Sequence, residues 1–257
     1  MMSGMDLGLD ERVYVLTGAT RGLGFATAEA LVADGARVVI CGRDSERLAA
    51  ALTELGGPEQ AIGMVADLAD PGTIGALLDA AITSFGRVDG ALISVGGPPP
   101  GSAGTITDEA WRASFESIFL GGLRAARTTL QRLTPGGAVG LVLSSSARIA
   151  APGLSISNGL RPGLAALVKD LADEYGPAGL RVFSLLPHRI LTDRNRELFA
   201  ATGDAARAQA QIEASIPLRR LGDPAEFGRV AAFMLSPAAS YLSGSAIPVD
   251  GGAMRVF

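Results

Sequence analysis

The sequence predicts a single-domain, doubly wound α/β fold, a parallel sheet of about seven strands with helices on both faces. Three observations predict it. Short β-branched runs alternate with amphipathic stretches along the whole chain. Most of these runs are apolar throughout, as strands buried on both faces of a parallel sheet require. The first run also enters a glycine-rich turn directly and then a helical stretch. Repetition of strand, helix and strand implies right-handed crossovers and a covered sheet. The length of 257 residues admits one large domain or two small ones, but no linker, repeat or low-complexity segment divides the chain.

Strands are expected at 13–16, 37–41, 62–65, 91–94, 139–143, 181–186 and 246–249. Helices are expected at 27–32, 46–55, 73–85, 108–133, 160–174 and 225–235, each with apolar residues on one face at helical spacing. Asp108 and Asp223 read as N-caps, the second followed by Pro224, whose missing N–H costs nothing in a first turn. The proline-rich stretch 96–101 reads as a loop after the fourth strand. Residues 194–216, of mixed charge, read as a mobile lid that selects the substrate. Met64, Met234 and Trp111 read as packing.

Composition narrows the partners. The hydrophobic fraction is 48% and the charged fraction 19%, enough apolar material for a sizeable core. A net charge of -4 provides no positive field for nucleic acid or an anionic membrane. Cys41 is the only cysteine, so there is no intramolecular disulfide and no cysteine-rich zinc site; no metal is expected. The stretch 1–12 carries Asp6, Asp10 and Glu11 without an apolar core, unlike a secretory signal. No apolar run is long enough to cross a bilayer. The expectation is a cytoplasmic protein with a small-molecule partner.

The turn after the first strand reads Thr17-Gly18-Ala19-Thr20-Arg21-Gly22-Leu23-Gly24. Strand, glycine turn and helix in that order form a Rossmann-type dinucleotide cradle. Gly18 permits the tight turn, Gly22 lets the backbone approach a pyrophosphate, and Gly24 lets the helix pack on the strand. The helix N-terminus offers free N–H groups and partial positive charge to the phosphates. The second strand ends Cys41-Gly42-Arg43, with no acid at the place that would bond the ribose 2′-hydroxyl of NAD. Arg43 and Arg21 are two cations suited to a 2′-phosphate, so NADP(H) is the preferred cofactor. NAD(H) remains the alternative, with Arg43 an ordinary exposed arginine and Asp44 holding the ribose.

The Thr-Gly-x-x-x-Gly-x-Gly spacing resembles that of the short-chain dehydrogenase/reductase family, and the resemblance extends from about Glu11 to Gly252. It implies that Asp67 and Leu68 contact the adenine. It also places Ser94 and Gly96 beside the cofactor, and 187–192, with Pro187, Ile190 and Thr192, at the nicotinamide carboxamide. The stretches 216–224 and 249–252 match the family's C-terminal signatures. Relatives pair through the helices 108–133 and 160–174 and the C-terminal segment, which implies a homodimer or homotetramer.

The catalytic pattern of that family, Asn, Ser, Tyr and Lys, is mostly replaced here. The Tyr position is Ser157, the Lys position Arg161 and the Asn position Ile118; the Ser is retained as Ser144, or as Ser145 if the loop shifts by one. The turn after the fourth strand is also altered, to Ile93-Ser94-Val95-Gly96. A serine hydroxyl is a far weaker acid than a phenol, and Arg161 can hold an oxygen but cannot pass a proton on. Pro162 follows Arg161. If the helix starts before Ser157, the proline lies inside it and Ser157 and Arg161 share a face; if it starts at Arg161, they do not. Ser157-Asn158-Gly159-Leu160-Arg161, with the Gly96–Gly101 loop, resembles a divergent subgroup similar to the 3-oxoacyl-acyl-carrier-protein reductases.

His188, the only histidine, follows Pro187 near the nicotinamide pocket, and its ordinary pKa near 6.5 suits proton transfer at neutral pH. The candidate catalytic set is therefore Ser144, Ser145, Ser157, Arg161 and His188, with Arg161 also a candidate for the nicotinamide ribose. The leading expectation is an NADP(H)-dependent oxidoreductase acting on a carbonyl or alcohol with a non-standard proton donor. The alternatives are a nucleotide-binding pseudoenzyme or scaffold without redox turnover, and a non-redox lyase or cyclase in the same pocket.

Overall fold

The computed structural model describes residues 6–200 and 203–256; residues 1–5 of the opening stretch, residues 201–202 of the expected lid and residue 257 lie outside the described residues. In chain order the first half holds β1 (Val13–Leu16), α1 (Gly22–Ala33), β2 (Arg37–Gly42), α2 (Ser45–Glu54), β3 (Ala61–Val65), α3 (Thr73–Phe85), β4 (Gly90–Ser94), α4 (Asp108–Ser114) and α5 (Gly121–Leu130). The second holds β5 (Ala138–Val142), α6 (Ser155–Tyr175), β6 (Arg181–Pro187), α7 (Asp193–Ala200), α8 (Ala205–Ser215), α9 (Pro224–Leu235) and β7 (Ser245–Val249).

All strand pairs are parallel, in the order β3-β2-β1-β4-β5-β6-β7. The strand pleat divides the core in two. Val13 and Val15 face a layer built from α3, α5 and α6, where Leu77, Leu78, Ala126, Leu130, Leu164 and Val168 are buried. Tyr14 and Leu16 face the layer of α1, α2 and α9, with Ala28, Leu31, Leu48, Phe227 and Met234. Central strands are buried on both faces, which is why their sequences do not alternate. Winding reverses between β1 and β4, leaving a crevice at their carboxyl ends.

Several boundaries differ from expectation. α1 begins at Gly22 rather than at 27, because the glycines of the turn are themselves the first helical residues. The helix expected over 108–133 is α4, a π-helical stretch over Phe115–Leu120, and α5. Its N-cap is Thr107, whose hydroxyl accepts from the Ala110 N–H at 3.3 Å, so Asp108 is the first helical residue and not the cap. Asp223 does cap α9, in a reciprocal capping box with Glu226. The stretch expected as a lid folds as α7 and α8, with Phe199, Ile216 and Leu221 buried in a small cluster of their own. Phe199, Ala208, Ile212 and Ile216 form the narrow apolar stripe of that stretch, which its charges obscured.

α6 starts at Ser155, five residues before 160, and carries Pro162 in its interior. Asn158 explains how so irregular a start holds: its side-chain amide bonds both the N–H and the carbonyl of Ala151, each at 2.9 Å. Gly159 and Gly163 then let α6 approach its neighbours, since a Cβ at Gly159 would stand 2.9 Å from the Trp111 ring and one at Gly163 2.8 Å from Phe119.

Opposite the crevice, Arg181 opens β6 with a buried guanidinium that donates to the carbonyls of Met234 (2.9 Å), Leu235 (3.2 Å), Ser236 (2.9 Å) and Leu242 (3.3 Å). It thereby satisfies the last carbonyls of α9 and places positive charge at the negative end of that helix. Replacing it by methionine fills the volume but takes the guanidinium's bonds from the buried Met234, Leu235 and Ser236 carbonyls and the part-buried Leu242 carbonyl, with the Tyr14 hydroxyl still donating to Leu235. Arg181→Met is expected to lower stability by about 3 kcal/mol and Tm by roughly 6–12 °C. An unchanged Tm in a calorimetric scan would mean that the four bonds contribute nothing net.

Candidate active site

The turn between β1 and α1 has the conformation its glycines permit. Gly18 and Gly22 have φ of 60° and 61°, in the left-handed region where a side chain is strained. Gly24 is required by space: a Cβ there would lie 2.7 Å from the Gly18 carbonyl oxygen. The turn faces its partners across the crevice. The open side of Gly18 lies 3.5 Å from Ser94 and that of Gly22 3.6 Å from the Thr192 methyl, measured from where a Cβ would stand. Thr17 ties β1 to β4, donating to the Ser94 carbonyl (3.2 Å) and accepting from its N–H (2.9 Å).

Arg21 occupies the N-cap position of α1 with extended backbone, and its side chain makes no cap hydrogen bond to the first turn. Two left-handed glycines, a third with no room for a Cβ and an uncapped helix N-terminus fit the pyrophosphate of a dinucleotide. Leu23 forms the first turn of α1 with them. Pro187, the last residue of β6, and Ile190 and Thr192 beyond it, which the sequence resemblance assigned to the nicotinamide, lie on the same edge, with Ile190 buried and bridged to Gly222.

Beside the turn, Gly42 ends β2 against Thr20: a Cβ at Gly42 would stand 2.5 Å from the threonine methyl and 2.7 Å from its hydroxyl. No side chain fits at 42 while Thr20 keeps its place. Arg43 is exposed and pairs with Asp67 at 3.7 Å, which joins two residues that the sequence reading had kept apart. Asp44 caps α2, accepting from the N–H groups of Arg47 (3.0 Å) and Glu46 (3.1 Å), and these bonds with the nearby Arg47 and Arg21 charges hold its carboxyl below the usual range. Leu68 is half-buried and its carbonyl lies against Gly121 of α5.

The candidate catalytic residues form two groups. In one, Ser157 and Arg161 share the buried face of α6, and Arg161 Nε donates to the Ser157 hydroxyl at 3.0 Å. Its Nη2 donates to the Gly96 carbonyl at 2.6 Å and Nη1 to the Val142 carbonyl at 3.3 Å. Ser157 also shares a hydrogen bond of 2.8 Å with Ser146. In the other, Ser145 bonds His188 Nδ1 at 2.9 Å. Ser144 is half-buried, and its hydroxyl accepts from the Ser146 N–H at 3.2 Å, capping the short turn Ser145–Ala147. Ile118 lies buried in the apolar core, within the π-helical stretch.

His188 departs from the sequence expectation in its chemistry. Burial first, and then the Arg189 charge, push its pKa below the ordinary value, with Asp250 opposing. At neutral pH it is a neutral imidazole and a ready proton acceptor. Sequence reasoning missed Ser146, because only the turn after β5 decides which of three consecutive serines faces α6. It also missed Thr17 and Gly42, whose roles come from β4 and from Thr20, and the Gly96 and Val142 carbonyls, which have no side-chain signature.

Among the described residues no helix is long and apolar enough to cross a membrane. Residues 18–254 match the enoyl-(acyl carrier protein) reductase family model. The chain is 32% identical to the oxidoreductase asL5 of Sarocladium schorii over 96% of this chain and 98% of that one. Its fold superposes with a TM-score of 0.93 on L-sorbose reductase of Gluconobacter frateurii in complex with NADPH and L-sorbose, at 27% identity, covering 98% of this chain and 100% of that one. A second solved structure is the NADPH-bound short chain oxidoreductase of Pseudomonas aeruginosa PAO1 containing an atypical catalytic center. There the TM-score is 0.88 and the identity 32%, over 96% of this chain and 98% of that one. The glycine cradle, the seven-stranded order and these matches together establish that the chain belongs to the enoyl-(acyl carrier protein) reductase-like short-chain dehydrogenase/reductase family of oxidoreductases.

Proposed function

We propose that this protein is an NADP(H)-dependent oxidoreductase of the carbonyl reductase or alcohol dehydrogenase type with a non-standard proton donor. The observation that carries the reading is the complete cradle between Gly18, Ser94, Gly22 and Thr192 at the uncapped end of α1. The preference for the 2′-phosphate rests on Gly42: Thr20 fills the space an acid there would need, and Asp44 is engaged in capping α2. Arg43 and Arg21 then receive the phosphate, with the exposed Arg43–Asp67 pair opening to admit it. The NADPH-bound state of the Pseudomonas aeruginosa relative with its atypical center supports both halves of the reading.

When bound, NADP(H) supplies or accepts the hydride. Ser144 holds the substrate oxygen, and Arg161 fixes the floor of the pocket by tying Gly96, Val142 and Ser157 together. Ser145 holds His188 at Nδ1, which leaves Nε2 as the nitrogen that exchanges a proton with substrate. Since the folded-state pKa of His188 lies below 6.5, its neutral form persists as pH falls from 8 towards 6.5 and gives way only below that. Alcohol oxidation, which needs the base, is expected to hold across that interval and decline below it.

A second reading has its own support. Ser157 is only 5% exposed and its hydroxyl is bonded to Ser146 and Arg161, so the position that carries the acid in relatives is closed. That favours a nucleotide-binding protein without redox turnover. Reproducible turnover, first order in protein, rejects it. Pairing of copies through α4, α5 and α6 is supported by Phe115, 42% exposed and stacked on Phe119 at 5.1 Å.

Three outcomes test these readings. Titration at fixed salt is expected to give tighter binding of NADPH than of NADH, and Arg43→Ala is expected to cost NADPH about tenfold while sparing NADH; equal affinities would defeat the charge argument. His188→Asn should lower turnover by at least about tenfold and remove the acid break in the pH profile. An unchanged rate would take His188 out of the mechanism. Phe115→Arg should reduce the solution mass to that of a monomer by light scattering, and an unaltered oligomer would move the interface elsewhere.

A further inference from the structure

A cavity of about 180 Å³ lies at the edge of the sheet opposite the crevice. Arg12 stands there before β1, Gly136 before β5 and Gly179 before β6, which Arg181 opens; Pro237 and Ser240, beyond the end of α9, complete the lining. The wall is cationic, since two guanidiniums line it and no carboxylate does. Arg12 pairs with the buried Asp89 at 3.0 Å, but Arg87 takes the same carboxylate at 2.6 Å and 2.8 Å, and the Val13 N–H donates to it at 2.9 Å. Among the described residues Asp89 is the only carboxylate paired with Arg12, Arg87 or Arg181, so positive charge is in excess at this corner.

Donors remain for a ligand. Arg12 places Nε on the Gly8 carbonyl at 2.8 Å and Nη1 on Asp89, which leaves Nη2. Arg181 commits both Nη groups to the carbonyls at and beyond the end of α9, which leaves Nε. Among the described residues neither of these nitrogens nor the Ser240 hydroxyl makes a hydrogen bond. The polar side-chain atoms sealed from solvent without a partner are Arg124 Nη1 and Ser184 Oγ. Arg181 Nε is not one of them, so within a buried side chain it is reached from the cavity that Arg181 lines. Burial lowers the Arg181 pKa, the Tyr14 phenol opposes this, and the Arg12 charge lowers it further, with no carboxylate contributing.

We propose that this cavity is a second ligand site, taking a phosphate group between Arg12, Arg181 and Ser240, as the free ion or as the monoester of a small metabolite. A tetrahedral oxyanion offers oxygens to three donors that come from different segments, and charge-assisted bonds to guanidinium are the strong ones. The cavity exceeds the roughly 150 Å³ that admits a benzene ring, so a phosphate group fits with water to spare. Bound there, it ties the start of β1 and the start of β6 to the segment after α9. The site is independent of the oxidoreductase reading, because the cradle and His188 lie at the other edge.

The test is calorimetric titration with inorganic phosphate and with glycerol 3-phosphate, at constant ionic strength and with NADPH present to occupy the cradle. One phosphate group is expected to bind per chain. Arg12→Gln, which leaves Asp89 paired with Arg87, should weaken binding about tenfold. Ser240→Asp, which puts a carboxylate on an exposed rim position, should weaken it at least as much at unchanged Tm in phosphate-free buffer. Arg43→Ala should leave it unaltered. Tighter binding of the monoester identifies a phosphorylated metabolite as the ligand, and tighter binding of inorganic phosphate the ion itself. Binding of neither, or binding that survives both Arg12→Gln and Ser240→Asp, overturns the proposal. Binding lost in Arg43→Ala alone also overturns it, by assigning the phosphate to the cofactor cradle.

Discussion

Parallel pairing of strands buried on both faces governs everything else in this protein. It forces each connection to cross over through a helix and brings every strand to the same edge with its carboxyl end. Thr17, Ser94, Ser145 and His188 are far apart in sequence and become neighbours only because β1, β4, β5 and β6 all stop there. The reversal of winding between β1 and β4 leaves the crevice, and Thr17 holds its two sides in register. At the opposite edge Arg181 closes the end of α9, so the helix that packs on α1 is fixed from below.

On that edge the two ends of the site are built by different physics. The cradle depends on what is absent: no Cβ at Gly24 or Gly42, no side-chain cap on α1. The other end, with the candidate catalytic residues, depends on buried polar groups that satisfy one another. Arg161 is deep in the protein, and its cost of burial is offset by bonds to two carbonyls and a hydroxyl. A lysine has one ammonium and could not reach these three acceptors with the same planar fork. Its reach also ties the loop after β4 to α6 through the Gly96 carbonyl.

Much of the fold was legible in the residues. Apolar runs and glycine punctuation gave all seven strands and the long helices, since burial on two faces imposes a composition that a short window displays. Boundaries were less legible where a tertiary contact sets them. Gly22 and Gly24 look like turn residues and are helical because α1 must touch β1; the start of α6 depends on Asn158 reaching Ala151. α7 and α8 were hidden because a surface helix pair bearing charges has only a narrow apolar stripe.

By itself the sequence determined the family and the glycine turn, because each is a matter of which residue type stands at which spacing. Only the tertiary structure decided how the candidate catalytic residues are arranged. It separated three consecutive serines into a cap, a partner for His188 and a partner for Ser157. It placed Pro162 inside α6 and so brought Ser157 and Arg161 onto one face, where the sequence had left two possibilities open. It also lowered the His188 pKa through burial. Those outcomes depend on distances and solvent exclusion between segments remote in the chain, which no local pattern encodes.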